Sequence, residues 1–378
     1  MRHRLAELRG PDVPAKALDA RALAALAANP GCARRALLDG AGVDKARLAS
    51  ALGAPSGFGQ SQFALTRGNA FEARVKADGG AELLRLAHAR LDPGAEPPAG
   101  AAVPDLTAHG PEGRTARTAL ALREATHAGG WTLLDHPMLA LDVAGSLAFL
   151  EPDAVVVHPD GSWSVVEIKS FPMLDGSADP AKVGAAARQA AVYVLALEEV
   201  AARLTREEAP ARVRHQVLLV CPKDFSNLAT GSAVDVRKQR AVTARQLARL
   251  TRIEDIAEAL PEGTCFAPDR SAEELTAAVA AVPASYAPEC LSACELAFHC
   301  RERSREAGAV TRLGRPLRAE LGGLTTVEDV LAAARGELGD PDDPAVAALR
   351  RAAALRAEAL GAAEARARTE AEVAAPCP

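Results

Sequence analysis

The stretch Glu151–Ser170, EPDAVVVHPDGSWSVVEIKS, decides how this chain reads. Val155, Val156 and Val157 form a short β-branched run, and Trp163 to Ile168 form a second. Both suit strands. His158-Pro159-Asp160-Gly161 lies between them. Proline fits the first inner position of a type I turn, aspartate tolerates the second, and glycine takes the left-handed position that follows. The spacing predicts a three-residue hairpin loop with a glycine bulge. With His158 facing Ser162, paired numbers sum to 320, which sets Asp153 opposite Glu167. Side chains alternate with period two, so Lys169 shares the face of Glu167 while Val166 and Ile168 turn toward a core.

Two carboxylates and an ammonium on one face have a specific use. Hard oxygen ligands hold Mg²⁺ or Mn²⁺. Such an ion lowers the pKa of a bound water and neutralises charge on a phosphodiester. A lysine can orient that water or stabilise the developing charge. The plain alternative is a surface hairpin with a Glu/Lys ion pair, a common and weak pairing. The rest of the chain has to decide between them.

The 378 residues allow two or three domains, or one elaborated domain. The 49% hydrophobic content permits a large core, much of it alanine. The net charge of −5 gives no overall basic field that would advertise nucleic acid, leaving a local arginine-lined groove as the remaining route. Neither a basic-then-apolar leader nor an apolar run of about 18 residues stands out, so a cytoplasmic protein without a membrane partner is expected. Seven cysteines, an odd number with three clustered, favour a metal or cluster site over disulfides.

Residues 1–60 read as helices. One runs from Pro14 or Asp19 through Leu26 and ends at Asn29-Pro30-Gly31; Cys32 opens the next, where a helix N-terminus favours thiolate, unless it is simply a small buried residue. A loop over Ser56–Gln62 precedes a helix over Thr66–Val75 that carries Gly68 and Glu72. A long loop over 92–115, a helix over Arg114–Ala128 and a strand over Trp131–Leu141 lead into the hairpin. A helix over Lys182–Ala202 follows, with Gln189 and Tyr193 on one face at i, i+4. Arg212–Cys221 reads as a strand buried on both faces. This order predicts an α/β core with a central mixed sheet flanked by helices. Arg237, Lys238, Arg240, Arg245 and Arg249 make a modest basic stretch, more often a solvated helix face than a binding site. Cys290, Cys294 and Cys300 fall within eleven residues, a spacing suited to zinc or an iron–sulfur cluster. His299 is poorly placed as the fourth ligand, and Cys32 is the better candidate. The tail from Thr311 is helical, with half of a helix-hairpin-helix around Leu324–Leu331 and a long helix over Ala345–Val373. The expected division is 1–60, 61–305 and 306–378.

Taken together, these residues resemble a RecB-type nuclease of the PD-(D/E)xK superfamily, in the iron–sulfur branch with the CRISPR-adaptation exonucleases and the AddB nuclease domain. The resemblance covers roughly residues 30–305. It rests on Gly68 with Glu72, on Asp153 in Glu-Pro-Asp, on Glu167-x-Lys169, on Gln189-x-x-x-Tyr193, and on one cysteine before the core with three after it. It implies a restriction-endonuclease-like core and a metal-dependent DNA nuclease, with exonuclease action on single-stranded ends. Asp153, Glu167, Glu72 and the Ile168 carbonyl would then bind Mg²⁺ or Mn²⁺. Lys169 would activate water, while Gln189 and Tyr193 would contact phosphate or brace Lys169. Cys32, Cys290, Cys294 and Cys300 would hold a structural four-iron four-sulfur cluster, with zinc as the alternative occupant. A helicase or defence-complex partner, in antiviral defence, spacer acquisition or DNA repair, fits the same resemblance. Two positions depart from the pattern. Glu72 stands where the iron–sulfur relatives often carry histidine, and three residues rather than two separate Cys290 from Cys294. Two other classes remain open: an idle cluster-bearing module that binds DNA or a helicase without cutting, and a zinc-stabilised helical scaffold.

Overall fold

A computed structural model describes residues 2–55, 62–143, 146–206, 211–224, 226–248, 253–286, 290–308, 310 and 315–373. Part of the expected 56–62 loop, and Arg249, lie outside them. The chain forms two compact units, one of residues 1–283 with 292–296, the other of 284–291 with 297–378.

The hairpin is the centre of the first unit. Its strands β4 (Ala154–Val157) and β5 (Ser162–Ile168) pair antiparallel, Ala154 with Val166 and Val157 with Trp163. That is the register expected from the turn. The His158 N–H donates to the Ser162 carbonyl at 2.8 Å, and Gly161 takes φ +77°, the left-handed position a side chain would strain. Outside β4 lies β1 (Thr132–Asp135), antiparallel. On the other side β5 runs parallel to β6 (Arg212–Val213) and to β7 (Gln216–Pro222), and β7 pairs antiparallel with β8 (Ala229–Asp235). The mixed six-stranded sheet therefore has the order β1-β4-β5-β7-β8, with β6 on β5. A parallel pair needs a crossover, and the helix Pro180–Arg206 supplies it between β5 and β7.

Two expected strands are divided. The stretch expected as one strand over Trp131–Leu141 breaks at His136, whose φ is +46°, and Pro137, which lacks an N–H for the ladder. Beyond the break, β2 (Leu139–Val143) leaves the main sheet and pairs with β3 (Ser146–Leu150). The expected strand Arg212–Cys221 is interrupted between β6 and β7, and the Arg214 N–H there donates to the Trp163 carbonyl.

One sheet face carries Ala154, Val156, Val166, Ile168, Leu218 and Val220, which pack on Phe71, Val75, Leu83 and Leu86 from the helices Gln62–Val75 and Ala77–Leu91. Asp78, Gly79 and Gly80 turn left-handed and kink the second of these. A Cβ on Gly80 would stand 2.1 Å from the Leu133 side chain, so this approach of helix to sheet requires glycine. The helix Pro180–Arg206 packs against β5 and β2, and the helix Ala20–Ala28 packs on it in turn. Asp19 caps Ala20–Ala28 by accepting from the Ala22 N–H at 2.7 Å.

The second unit is helical among its described residues. Its helices include Ala297–Glu306, Arg315–Leu321, Val327–Arg335 and Pro344–Val373. Thr326 and Asp329 form a capping box at the start of Val327–Arg335, and Gly336 ends that helix at φ +83°. The Arg350 guanidinium bonds the Ala333 and Leu338 carbonyls and joins the long helix to its neighbour, while Leu355 and Leu360 further along are exposed. No described helix is long and apolar enough to cross a membrane.

Candidate active site

The hairpin register carries the site with it. Asp153 immediately precedes β4, opposite Glu167, and its Oδ2 accepts from the Ile168 N–H at 2.6 Å. Lys169 continues β5 past Ile168, with its N–H donating to the Val220 carbonyl at 2.9 Å, and its ammonium forms an ion pair with Glu167. Asp153, Glu167 and Lys169 thus converge. Glu167 is 1% exposed, and beyond the Lys169 ammonium neither carboxylate oxygen has a hydrogen-bond partner among the described residues. A buried carboxylate so poorly satisfied is costly.

Its titration reflects that position. Burial pushes the Glu167 carboxyl up to about 7; Lys169 opposes the rise and Asp153 adds to it. Burial likewise raises Asp153, against the pull of Lys169 and the Ile168 N–H. For Lys169, burial acts to lower the pKa, but the facing Glu167 and Asp153 prevail and the net direction is up. Burial raises the Cys221 thiol beside Lys169 to about 12 and keeps it neutral.

The helix Pro180–Arg206 covers this face. Tyr193 is buried, and its hydroxyl donates to the Glu151 carbonyl at 3.2 Å while accepting from Gln189 Nε2 at 3.2 Å. The hydrogen bonds of this pair therefore brace the segment leading into Asp153. Burial, then the negative Glu167, raise the Tyr193 pKa, so the hydroxyl stays a neutral donor.

Glu72 is placed differently. It projects from Gln62–Val75 and binds the Lys76 ammonium at 2.6 Å and His136 Nε2 at 3.0 Å. The bond to His136 does most to hold its carboxyl down at about 2, against burial and with help from Lys76. Lys76 also reaches Asp135 at 2.7 Å, and Asp135 reaches His136 Nδ1 at 3.0 Å. Arg114 fixes the His136 carbonyl at 2.9 Å and pairs with Glu151 at 2.7 Å. The left-handed backbone at His136 costs about 1 kcal/mol or more, so the fold has to impose it. Lys76, Asp135 and His136 were not legible as site residues: only the i, i+4 spacing of Glu72 and Lys76 hints at their pairing. Gly68 is not demanded by space, since a Cβ there would reach only to 3.9 Å from Ser170.

Among the described residues no group of three or more His, Cys, Asp or Glu side chains could hold a metal ion as it stands. The pair Asp153 and Glu167 still fits a hard cation. Mg²⁺ keeps several waters and is commonly held by one or two carboxylates, and the unsatisfied oxygens of Glu167 are donors of that kind.

The four cysteines divide between the units, Cys32 and Cys294 in the first, Cys290 and Cys300 in the second. Cys32 is the N-cap of Ala33–Gly40, the helix-start position expected. Two buried arginines from that helix bond the backbone at residues 282 and 293. Arg34 donates to the Val282 carbonyl at 3.1 Å. Arg35 donates to the Ala293 carbonyl at 2.7 Å and to Asp39 at 2.9 Å, and it lies beside Cys294 and Glu295. In the basic stretch, Arg237 pairs with Asp235 and Arg240 with Glu198, as in a solvated helix face.

Comparison with protein-family models, curated proteins and solved structures yields no match.

Proposed function

We propose that this site hydrolyses nucleic-acid phosphodiesters with a divalent cation held by Asp153, Glu167 and the Ile168 carbonyl. The observation that carries the reading is Glu167: a fully buried carboxylate, opposite a second carboxylate, with no partner for its oxygens among the described residues beyond the Lys169 ammonium. Mg²⁺ or Mn²⁺, when bound, supplies an activated water and neutralises phosphate charge. The chain's own residues supply the rest. Asp153 and Glu167 provide hard oxygens, with Asp153 fixed by the Ile168 N–H. The Lys169 ammonium, held in the cationic form, orients the attacking water and stabilises the charge that develops on the phosphoryl oxygens. Tyr193 and Gln189 keep the Glu151–Asp153 segment in place.

On this reading the antiparallel β1-β4-β5 strands, the crossover helix and parallel β7 are a restriction-endonuclease-like core, and the substrate is DNA with a single-stranded end. The spacing of Cys32, Cys290, Cys294 and Cys300 supports a structural iron–sulfur cluster, with zinc as the other occupant; no step of the reaction passes through it.

The test is cleavage of end-labelled single-stranded DNA with Mn²⁺ by anaerobically purified protein, against Lys169→Ala and Asp153→Asn. Loss of cutting in both variants is expected; equal cutting by all three proteins refutes the reading. One observation favours a second reading, an idle module that binds DNA or a helicase without cutting: Glu72 is engaged by Lys76 and His136, and among the described residues no third ligand joins the pair Asp153 and Glu167. DNA binding without cleavage by the wild type decides for it. A visible spectrum separates iron, brown with absorbance near about 400 nm, from colourless zinc.

A further inference from the structure

The Ile168 N–H holds the Asp153 carboxylate, but the backbone of residues 151–153 belongs to no strand. What fixes this backbone comes in part from the helix Gly110–Ala128. Arg114 Nη2 donates to Glu151 Oε1 at 2.7 Å and to the His136 carbonyl at 2.9 Å. One guanidinium thus ties the chain entering β4 to the chain leaving β1. The tie closes on Asp153 itself, since the His136 N–H faces the Asp153 carbonyl at 3.4 Å. From the helix Pro180–Arg206, the Tyr193 hydroxyl holds the Glu151 carbonyl at 3.2 Å. Pro152, buried, joins Glu151 to Asp153 with a fixed φ and keeps Glu151 extended, so a shift at Glu151 is passed on rather than absorbed. The helix that presents Arg114 is anchored as well. Thr118, at i+4 on the same face, accepts from the Met138 N–H at 3.0 Å, and Thr126 accepts from the Trp163 indole N–H at 2.9 Å. An ion pair with side chains 30% and 39% exposed contributes little by itself. The planar fork of arginine, shared with a main-chain carbonyl, gives this pair a fixed geometry.

We infer that Arg114 is a positioning residue: by joining Glu151 to the His136 carbonyl, its guanidinium sets the place of the Asp153 carboxylate opposite Glu167. Arg114 acts through Glu151 and the His136 backbone. Losing either end of the fork therefore frees the same segment, and losing both frees it no further. The bond from the Ile168 N–H to Asp153 loosens, while bonds of the same sheet that do not involve Asp153 stay as they are. The inference rests on the proposed function only for the cation that Asp153 and Glu167 would hold, whose affinity follows the placement of its carboxylates.

The experiment compares full-length wild type, Arg114→Gln, Glu151→Gln and the double variant Arg114→Gln/Glu151→Gln, with circular dichroism to verify folding. In EDTA, NMR follows amide hydrogen exchange at Ile168. His158, whose N–H donates to the Ser162 carbonyl, and Lys169, whose N–H donates to the Val220 carbonyl, serve as references. Mn²⁺ affinity is then measured from the loss of the free-Mn²⁺ electron paramagnetic resonance signal. Exchange at Ile168 about 10-fold faster in each single variant, with both references unchanged and no further rise in the double variant, supports the inference. Mn²⁺ should bind about 10-fold more weakly in the same variants. If Arg114→Gln fails to fold, Glu151→Gln carries the decision. Unchanged exchange at Ile168, an equal rise at all three amides, or a double variant that adds the two single effects overturns it. A wild type that binds no Mn²⁺, or an affinity that does not follow the exchange, removes the cation from Asp153 and Glu167, and the Ile168 exchange then decides the role of Arg114 by itself.

Discussion

Replacing Lys169 by methionine should give a destabilisation whose dependence on pH is its signature. The variant keeps the apolar stem and removes the ammonium facing Glu167. In the folded protein Glu167 titrates at about 7, against 4.5 when unfolded. Because the folded value is the higher, the group's contribution to stability is complete below about 4.5 and is lost as pH rises through about 7. The displacement from 4.5 to about 7 corresponds to about 3.4 kcal/mol, the limit reached once the carboxylate ionises against Lys169. Without the lysine, ionisation is deferred and the neutral form must be kept, at about 1.4 kcal/mol for each further pH unit. The two proteins then differ little from this source at about pH 6, by about 1.4 kcal/mol at pH 8 and by about 2.7 kcal/mol at pH 9. The loss of the buried ammonium itself adds an offset that does not vary over this range. Urea denaturation in EDTA at pH 6, 7, 8 and 9, with wild type and variant in parallel, measures the difference. A difference that is the same at pH 6 and pH 9 would refute the ion pair and the buried state of Glu167 together.

His158 offers the opposite slope away from Asp153, Glu167 and Lys169. Burial, with Arg214 adding to it and Asp92 opposing, holds it down at about 4, so stability should fall by up to about 3 kcal/mol as pH drops from 6.5 toward 4, and His158→Asn should flatten that fall in acid denaturation. Gly80→Ala sets a Cβ 2.1 Å from Leu133 at φ +75°; a loss of about 2–4 kcal/mol is expected, read as a lower melting temperature, and an unchanged one would contradict the close approach of helix to sheet. Arg35→Met strands the buried Asp39 with Lys45 alone and removes the bond to the Ala293 carbonyl. About 3–5 kcal/mol should be lost, with faster proteolytic cleavage within 292–296; wild-type resistance to protease would show that the arginine does not hold that segment.

What the sequence determined by itself is what a few neighbouring residues dictate. Pro159, Asp160 and Gly161 specify one tight turn, the turn specifies the register, and a period of two then fixes Asp153, Glu167 and Lys169 on one face. The caps were equally local: Asp19 begins one helix and Cys32 the next. Tertiary structure alone decided the surroundings. Lys76 and His136 are 60 residues apart, and Arg35 meets Ala293 across 258. No periodicity relates such pairs; the first meets because Leu83 and Leu86 on one side and Val156 and Val166 on the other bury a common apolar surface. The break at His136-Pro137 belongs to both levels. Proline announces the end of a ladder, but only packing, and the Arg114 bond to the His136 carbonyl, turned that break toward Glu72.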